Sequence, residues 1–227
     1  MTIRLRDGYD LGECLSSDPL VQVVDDYVLP DERAHVIDLA RDSLQTALVS
    51  AVGESVTSAG RTGSVAWLAH DATPVVRHVV ERVSELVGLP VGHAESLQVL
   101  HYGRTEQYRP HFDGWDMHSE KGQQRLARGG QRLVTALCYL NDVEAGGSTV
   151  FPRLDLEIEA RPGRMVIFHN VADPDLADLT RHPRSLHGGS PVWRGEKWAC
   201  NLWFRHRPYQ ADAVSGSGEP PRTETHA

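Results

Sequence analysis

Ser96-Leu-Gln-Val-Leu-His-Tyr102, followed after five residues by Tyr108-Arg-Pro-His-Phe-Asp113, is where the chain stops reading as helix and starts reading as sheet. Both runs are short and bounded by Gly, Pro and acidic residues. The same texture returns at Leu133–Leu140, Leu156–Ala160, Met165–His169 and Trp198–Arg205. Short runs of β-branched and aromatic residues between such punctuation are strand signals. Upstream the period changes. Pro30-Asp31-Glu32 opens a stretch in which Ile37, Ala40, Leu44 and Leu48 share one helical face, and Ser50–Gly63 is an aperiodic loop. Thr73 and Pro74 then start a second helix with the stripe Val76, Val79, Val80, Val83 and Val87, closed by Gly88. Two helices ahead of many short strands predict a mainly β (α+β) domain, a double-stranded β-helix or jelly roll with the N-terminal helices packed on one sheet.

A chain of 227 residues fits one such domain with trimmings. We assign residues 1–20 to an N-terminal extension, 21–209 to the domain and 210–227, almost devoid of large apolar side chains, to a disordered tail. The formal charge of −8, with no long basic block, excludes nucleic acid as a partner. No run of about 18 apolar residues exists, so no spanning helix or membrane partner is expected. Charges scattered over Arg4, Arg6, Asp7, Asp10 and Glu13 do not suit a signal peptide. Cys14, Cys138 and Cys200 are isolated from one another, which points to a reducing cytoplasm. Nothing in the sequence speaks to oligomeric state.

Twelve histidines direct attention to metal chemistry. On a strand, the spacing of His111 and Asp113 aims both side chains at one face. A His-x-Asp triplet alone is common. His187, in Ser185-Leu-His-Gly-Gly-Ser-Pro-Val192, adds a third candidate ligand flanked by glycines. Two imidazoles and one carboxylate describe a facial set that holds Fe(II) and leaves positions open, although the same donors could bind zinc for hydrolysis. Lys197 decides between them. It opens the apolar run Trp198–Phe204, and a cation aimed into a barrel requires an anion there. A dicarboxylate that chelates iron at its other end meets that requirement.

At this point the sequence resembles the prolyl 4-hydroxylase branch of the Fe(II)/2-oxoglutarate dioxygenases. The ordered blocks are Arg61-Thr-Gly-Ser-Val-Ala-Trp-Leu68, Tyr102-x5-Tyr108-x2-His111-x-Asp113, Gly130-Gln-Arg-Leu-Val-Thr135 with Tyr139-Leu-Asn141, Gly146-Gly-Ser-Thr-Val-Phe-Pro152, and Ser185 through Lys197, with Trp203 six residues on. The resemblance implies that His111, Asp113 and His187 ligate iron and that Lys197 pairs with the C5 carboxylate of 2-oxoglutarate. It further implies that Tyr102, Tyr139 and Thr135 line the cosubstrate pocket, with O2 as the second cosubstrate and ascorbate as reductant. Arg61, Glu95, Tyr108, Arg132 and Trp203 match positions lining the substrate groove, and Gly114–Gly130, carrying Trp115, His118 and Lys121, is expected to form a lid. Gly63 stands where peptide hydroxylases often have Ser, and Arg205 where the algal type has His. The expected reaction is hydroxylation of an unactivated C–H bond of a prolyl residue or proline-like amino acid, with release of succinate and CO2. Two alternatives stay open. The same cofactors could act on a non-prolyl amino acid or small metabolite, by hydroxylation, desaturation or cyclisation, or the chain could be a silent jelly-roll module that binds a peptide.

Overall fold

The computed structural model describes residues 3–46, 60 and 62–210, and the backbone alone at 49–50 and 55–56. Its elements in chain order are β1 (Glu13–Ser17), β2 (Leu20–Val24), α1 (Pro30–Arg41), β3 (Gln45–Thr46), β4 (Val49–Ser50), β5 (Ser55–Val56), β6 (Ser64–Leu68), α2 (Pro74–Val87), β7 (Leu97–Tyr102), β8 (Tyr108–His111), α3 (Glu120–Leu126), β9 (Arg132–Tyr139), β10 (Ala145–Gly146), β11 (Thr149–Phe151), β12 (Leu156–Ile158), β13 (Met165–His169), β14 (His187–Gly189), β15 (Val192–Arg194) and β16 (Lys197–Arg205). An eight-stranded sheet runs β1-β2-β13-β9-β16-β7-β6-β3, and a four-stranded sheet runs β12-β11-β14-β8. All the pairings between these strands are antiparallel. No described helix is long and apolar enough to cross a membrane.

The large sheet has two buried faces, which explains why β9 and β16 are buried along their whole length. One face packs on the helices. Val36 and Ala40 of α1 and Val76, Val80, Val83 and Val87 of α2 meet Val134, Ala136, Trp198, Cys200, Leu202 and Phe204 there. The other face looks into the gap between the sheets, where Leu137, Tyr139, Phe168 and Ala199 meet Phe151, Ile158 and Val192. Thr73 Oγ1 caps α2 by accepting the Val76 N–H at 3.2 Å, and Gly88 ends the helix at φ +72°, a left-handed conformation that suits glycine. The two helices are tied together by Arg82, whose guanidinium donates to both Glu32 carboxylate oxygens at 2.8 and 2.7 Å.

Several sequence expectations need correction. Leu44 is not on α1, which ends at Arg41, because the chain turns to pair Gln45 with Val65 and Thr46 with Ser64; Leu48 lies outside the described residues. Residues 3–20 are more than an extension: β1 is an edge strand of the large sheet, and Leu5 and Tyr9 are buried in the helix-side core. The loop 50–63 contributes Ser50, which ends β4, and β5, which pairs with that strand, and the rest of it apart from 60, 62 and 63 lies outside the described residues. The tail from 211 on does too. Strands β11 and β14 are only three residues long, too short to show an alternating pattern.

Phe151 is fully buried in the gap, edge-on to Phe168 and 5.6 Å from the ring of His187. Phe151→Ala is expected to cost about 3–5 kcal/mol of stability through the cavity it leaves. Urea unfolding monitored by tryptophan fluorescence reads this directly, and a loss under 1 kcal/mol would contradict the packing.

Candidate active site

Strands β8 and β14 place His111 directly opposite His187, with ring centroids 4.5 Å apart. This approach depends on Gly188, where a Cβ would come within 2.8 Å of the Tyr108 carbonyl oxygen and 2.9 Å of Pro110 N. Asp113 does not share the strand, as the sequence spacing suggested. β8 ends at His111, and the bend that follows swings the carboxylate back between the rings. Its Oδ1 lies 3.7 Å from His111 Nε2 and its Oδ2 3.5 Å from His187 Nε2, so one ligand atom from each residue falls within 4.8 Å of the others.

The hydrogen bonds around this cluster suit a cation. His111 Nδ1 lies 3.0 Å from the Arg109 carbonyl and His187 Nδ1 lies 3.0 Å from the Ser185 carbonyl. A carbonyl only accepts, so both protons sit on Nδ1 and both Nε2 lone pairs are left for the cluster. Burial pulls the pKa of His187 down to about 4, so at neutral pH it is an uncharged ligand. Asp113, only 4% exposed, receives two hydrogen bonds on Oδ2, from Thr135 Oγ1 and from Trp203 Nε1, each 2.8 Å long. Asn170 Nδ2 in turn donates to Thr135 Oγ1 at 2.9 Å. Burial alone would raise the Asp113 pKa. The two histidines and Arg132, whose Nη1 is 3.9 Å from Oδ1, reverse that and hold it well below the usual carboxylate range. His187 is neutral at pH 7, whereas Arg132 is a permanent cation beside Asp113.

Lys197, at the start of β16, is 4% exposed. Its ammonium donates to the Gly147 carbonyl at 2.6 Å and lies 5.0 and 5.9 Å from the ring centres of Tyr139 and Tyr102. Among the described residues no carboxylate reaches it, and burial pulls its pKa down to about 7. The space beside it is kept open by Gly189, where a Cβ would stand 3.8 Å from Nζ. The Tyr139 hydroxyl is engaged within the gap, donating to Thr149 Oγ1 at 2.6 Å and lying 3.2 Å from the Ile158 carbonyl. Thr135, implied to line the cosubstrate pocket, instead spends its hydroxyl on Asp113.

The residues matched to a substrate groove separate into different roles. Arg61 lies outside the described residues. Glu95 is 2% exposed; Arg132 grips both its oxygens at 2.6 and 2.7 Å and Arg205 Nε adds a third contact at 2.7 Å, so it offers a ligand no free acceptor edge. Arg132 lies 3.7 Å over Trp203 and 4.8 Å from the Trp115 ring. Tyr108 stacks on His111 at 3.6 Å and braces that ring. A side chain at Gly63 would come within 2.6 Å of the Tyr102 ring, which explains why no Ser stands there. The expected lid carries α3, capped by Ser119, and its root is pinned by Gln131, which bonds the backbone N–H and carbonyl of Trp115 at 2.7 and 2.9 Å. Asn170 and Gln131 escaped the sequence reading because each is a lone amide at the end of an apolar run, with no spacing signal.

Thr135→Val and Trp203→Phe each remove one hydrogen bond from Asp113 while keeping the side chain's bulk. Each is expected to weaken Mn(II) binding roughly ten- to hundredfold, as loss of an outer hydrogen bond to a ligand generally does. Titration under nitrogen measures it, and wild-type affinity in both variants would contradict the assigned role of these bonds.

The pattern of the 2OG-Fe(II) oxygenase superfamily matches residues 97–205, the segment that contains all four site residues. The chain is 33% identical over 215 residues to "Probable prolyl 4-hydroxylase 10" of Arabidopsis thaliana, covering 87% of this chain and 73% of that one. It is 34% identical over 214 residues to "Prolyl 4-hydroxylase 5" of the same plant, covering 85% and 70%. Among solved structures it is similar to the viral collagen prolyl hydroxylase of Paramecium Bursaria Chlorella virus-1 in its 2OG complex, with a TM-score of 0.64, 26% identity and coverage of 82% and 95%. With the jelly roll and the His–Asp–His cluster, these similarities establish that the chain belongs to the prolyl 4-hydroxylase-like 2OG-Fe(II) oxygenases.

Proposed function

We propose that this enzyme hydroxylates a prolyl residue of a peptide, holding Fe(II) through His111, Asp113 and His187 and the distal carboxylate of 2-oxoglutarate through Lys197. The observation that carries this reading is the buried ammonium of Lys197, without an anion among the described residues, in the same gap between sheets as three convergent metal donors. A silent binding module would keep neither. When bound, iron and 2-oxoglutarate would together supply the oxidising chemistry, with O2 as co-reactant and ascorbate as reductant.

The chain's own part is orientation. Neutral His187 and ionised Asp113 present lone pairs rather than protons to the metal, and the bonds from Thr135 and Trp203 fix the carboxylate plane. Lys197 sets the depth at which a five-carbon dicarboxylate stops. For the substrate, the partly exposed Trp67, 6.2 Å from Trp203, and Trp115 offer flat faces to a saturated ring. The prolyl 4-hydroxylase names of the relatives support the same choice. The test is a comparison of proline-rich peptides with free proline, following succinate release and a product heavier by one oxygen. Peptide hydroxylation supports the proposal; release stimulated only by free amino acids, or by neither class, contradicts it.

Lys197→Ala removes a hydrogen bond to a charged group worth about 1.5–3 kcal/mol, so half-saturating 2-oxoglutarate should rise about ten- to hundredfold. The wild type should also show a pH signature. With a pKa of about 7 in the empty site, Lys197 is charged below that pH and neutral above it, whereas pairing with a dianion favours the charged form. Binding above pH 7 therefore takes up a proton, and half-saturation should climb by up to about tenfold per pH unit there, while below pH 7 Lys197 contributes no slope. Lys197→Arg stays charged and should lose this dependence. A flat wild-type profile between pH 7 and 9 would contradict the pairing.

A further inference from the structure

A second cavity, of about 190 Å³, lies on the opposite face of the large sheet from the metal donors. Phe168 faces the gap between the sheets, so strand alternation turns the next side chain, His169, to the helix side, where Tyr9 and Val171 pack. The cavity is walled by the N-terminal arm at Arg6 and Asp7, the β1–β2 turn at Asp18 and Pro19, and the segment that follows β13. His169 lines it and is 7% exposed. Burial pulls its pKa down to about 4, so the ring is neutral at pH 7. Its Nε2 lies 3.1 Å from the Tyr9 hydroxyl. That hydroxyl reaches no other acceptor among the described residues, so its proton goes to Nε2 and the imidazole proton sits on Nδ1. Nδ1 has no hydrogen-bond partner among the described residues and is not sealed from the surface, so this N–H opens on the cavity that the ring walls. A donor kept in such a place is completed by a ligand that brings an acceptor.

The charges around the cavity are of both signs. Arg6 and Asp7 make no ion pair among the described residues, and they are near enough that Arg6 acts on the Tyr9 hydroxyl and Asp7 on the His169 ring. Asp18 is already engaged, with Oδ1 2.9 Å from His182 Nε2 and Oδ2 3.3 Å from Arg184 Nη1. Pro19, Leu20 and Val171 add an apolar wall. His169 offers a proton where a metal ion needs a lone pair, and among the described residues the one group of three metal donors is His111, Asp113 and His187. A simple anion would gain from Nδ1–H and Arg6 but would meet Asp7 as a like charge. A zwitterion satisfies all three. We propose that this cavity binds a free α-amino acid with a small apolar side chain. One carboxylate oxygen accepts from His169 Nδ1–H, the other pairs with Arg6, the ammonium meets Asp7, and the side chain lies on Pro19, Leu20 and Val171. The site is separate from the gap that holds the metal donors, and no bond is made or broken in it.

The test titrates L-valine, which has no ring to mimic a prolyl residue, into the full chain loaded with one equivalent of Zn(II). It follows the imidazole nitrogen resonances of His169 by NMR, identified by their loss in His169→Gln. A saturable shift of the Nδ1 resonance is expected. Ala172 is exposed on the cavity's rim, and Ala172→Phe should fill the mouth and abolish the shift. Asp7→Asn should weaken valine about three- to tenfold, between what an exposed ion pair and a hydrogen bond to a charged group contribute, and should not weaken isovalerate, which lacks the ammonium. Arg6→Gln should weaken valine and isovalerate alike and leave isobutylamine, which lacks the carboxylate, unchanged. A merely structural role for Arg6 or Asp7 would not sort the ligands in this way. No saturable shift in the wild type, valine binding that survives Ala172→Phe, or isovalerate binding the wild type as tightly as valine would each overturn the proposal. All three outcomes are independent of the function proposed above, which is read at Lys197.

Discussion

A carboxylate almost sealed from water has to be held as an anion by its neighbours, and the site is arranged around that requirement at Asp113. Thr135 and Trp203 converge on the same oxygen, and they can do so because they are direct cross-strand partners where β9 and β16 pair. Thr135 is also the partner of Phe168 on the other side, two residues before the Asn170 that supports its hydroxyl. The register of three central strands is therefore the register of the metal site. A slip of one residue would turn Thr135 and Trp203 toward the helices and leave Asp113 buried without donors.

Charge is balanced a layer further out. Arg132 faces Asp113 with one nitrogen and Glu95 with two others, and Arg205 closes the group from the far side of Glu95. Burial would raise the pKa of Glu95, but the two guanidinium groups hold it at about 2. Removing one member of such a group strands the charge of another, which generally costs 3–5 kcal/mol. Arg205 is thus part of the frame that keeps Arg132 flat against Trp203. Lys197 is the exception to this balance. Arg132 and Arg205 share Glu95 and Arg164 pairs with Asp25, whereas among the described residues no carboxylate reaches Lys197.

The sequence made the jelly roll and the metal donors legible for a physical reason. Long central strands carry continuous apolar runs, against which Lys197 is conspicuous, while His111, Asp113 and His187 stand out by residue type in short segments punctuated by Pro and Gly. Other features depend on contacts between residues distant in the chain. The end of α1 is decided by pairing of Gln45 with Val65, which no local period of Ile37, Ala40 and Leu44 reveals. Asp113 reaches the site through a bend rather than by strand alternation. Glu95, matched to a groove position, is enclosed by two arginines more than 35 residues further along, and nothing in its local sequence signals that. β1 escaped notice because its partner β2 supplies the apolar residues and β1 itself is partly exposed.

The central claim is that His111, Asp113 and His187 bind Fe(II) in a geometry that 2-oxoglutarate completes. Absorption spectroscopy without oxygen addresses it most directly. Adding Fe(II) and 2-oxoglutarate to the wild type should produce the weak visible charge-transfer band of the chelate, and His187→Ala, which lacks one of three ligands, should lose it. A band of equal intensity in the variant, or none in a wild type shown to be folded, would contradict the account.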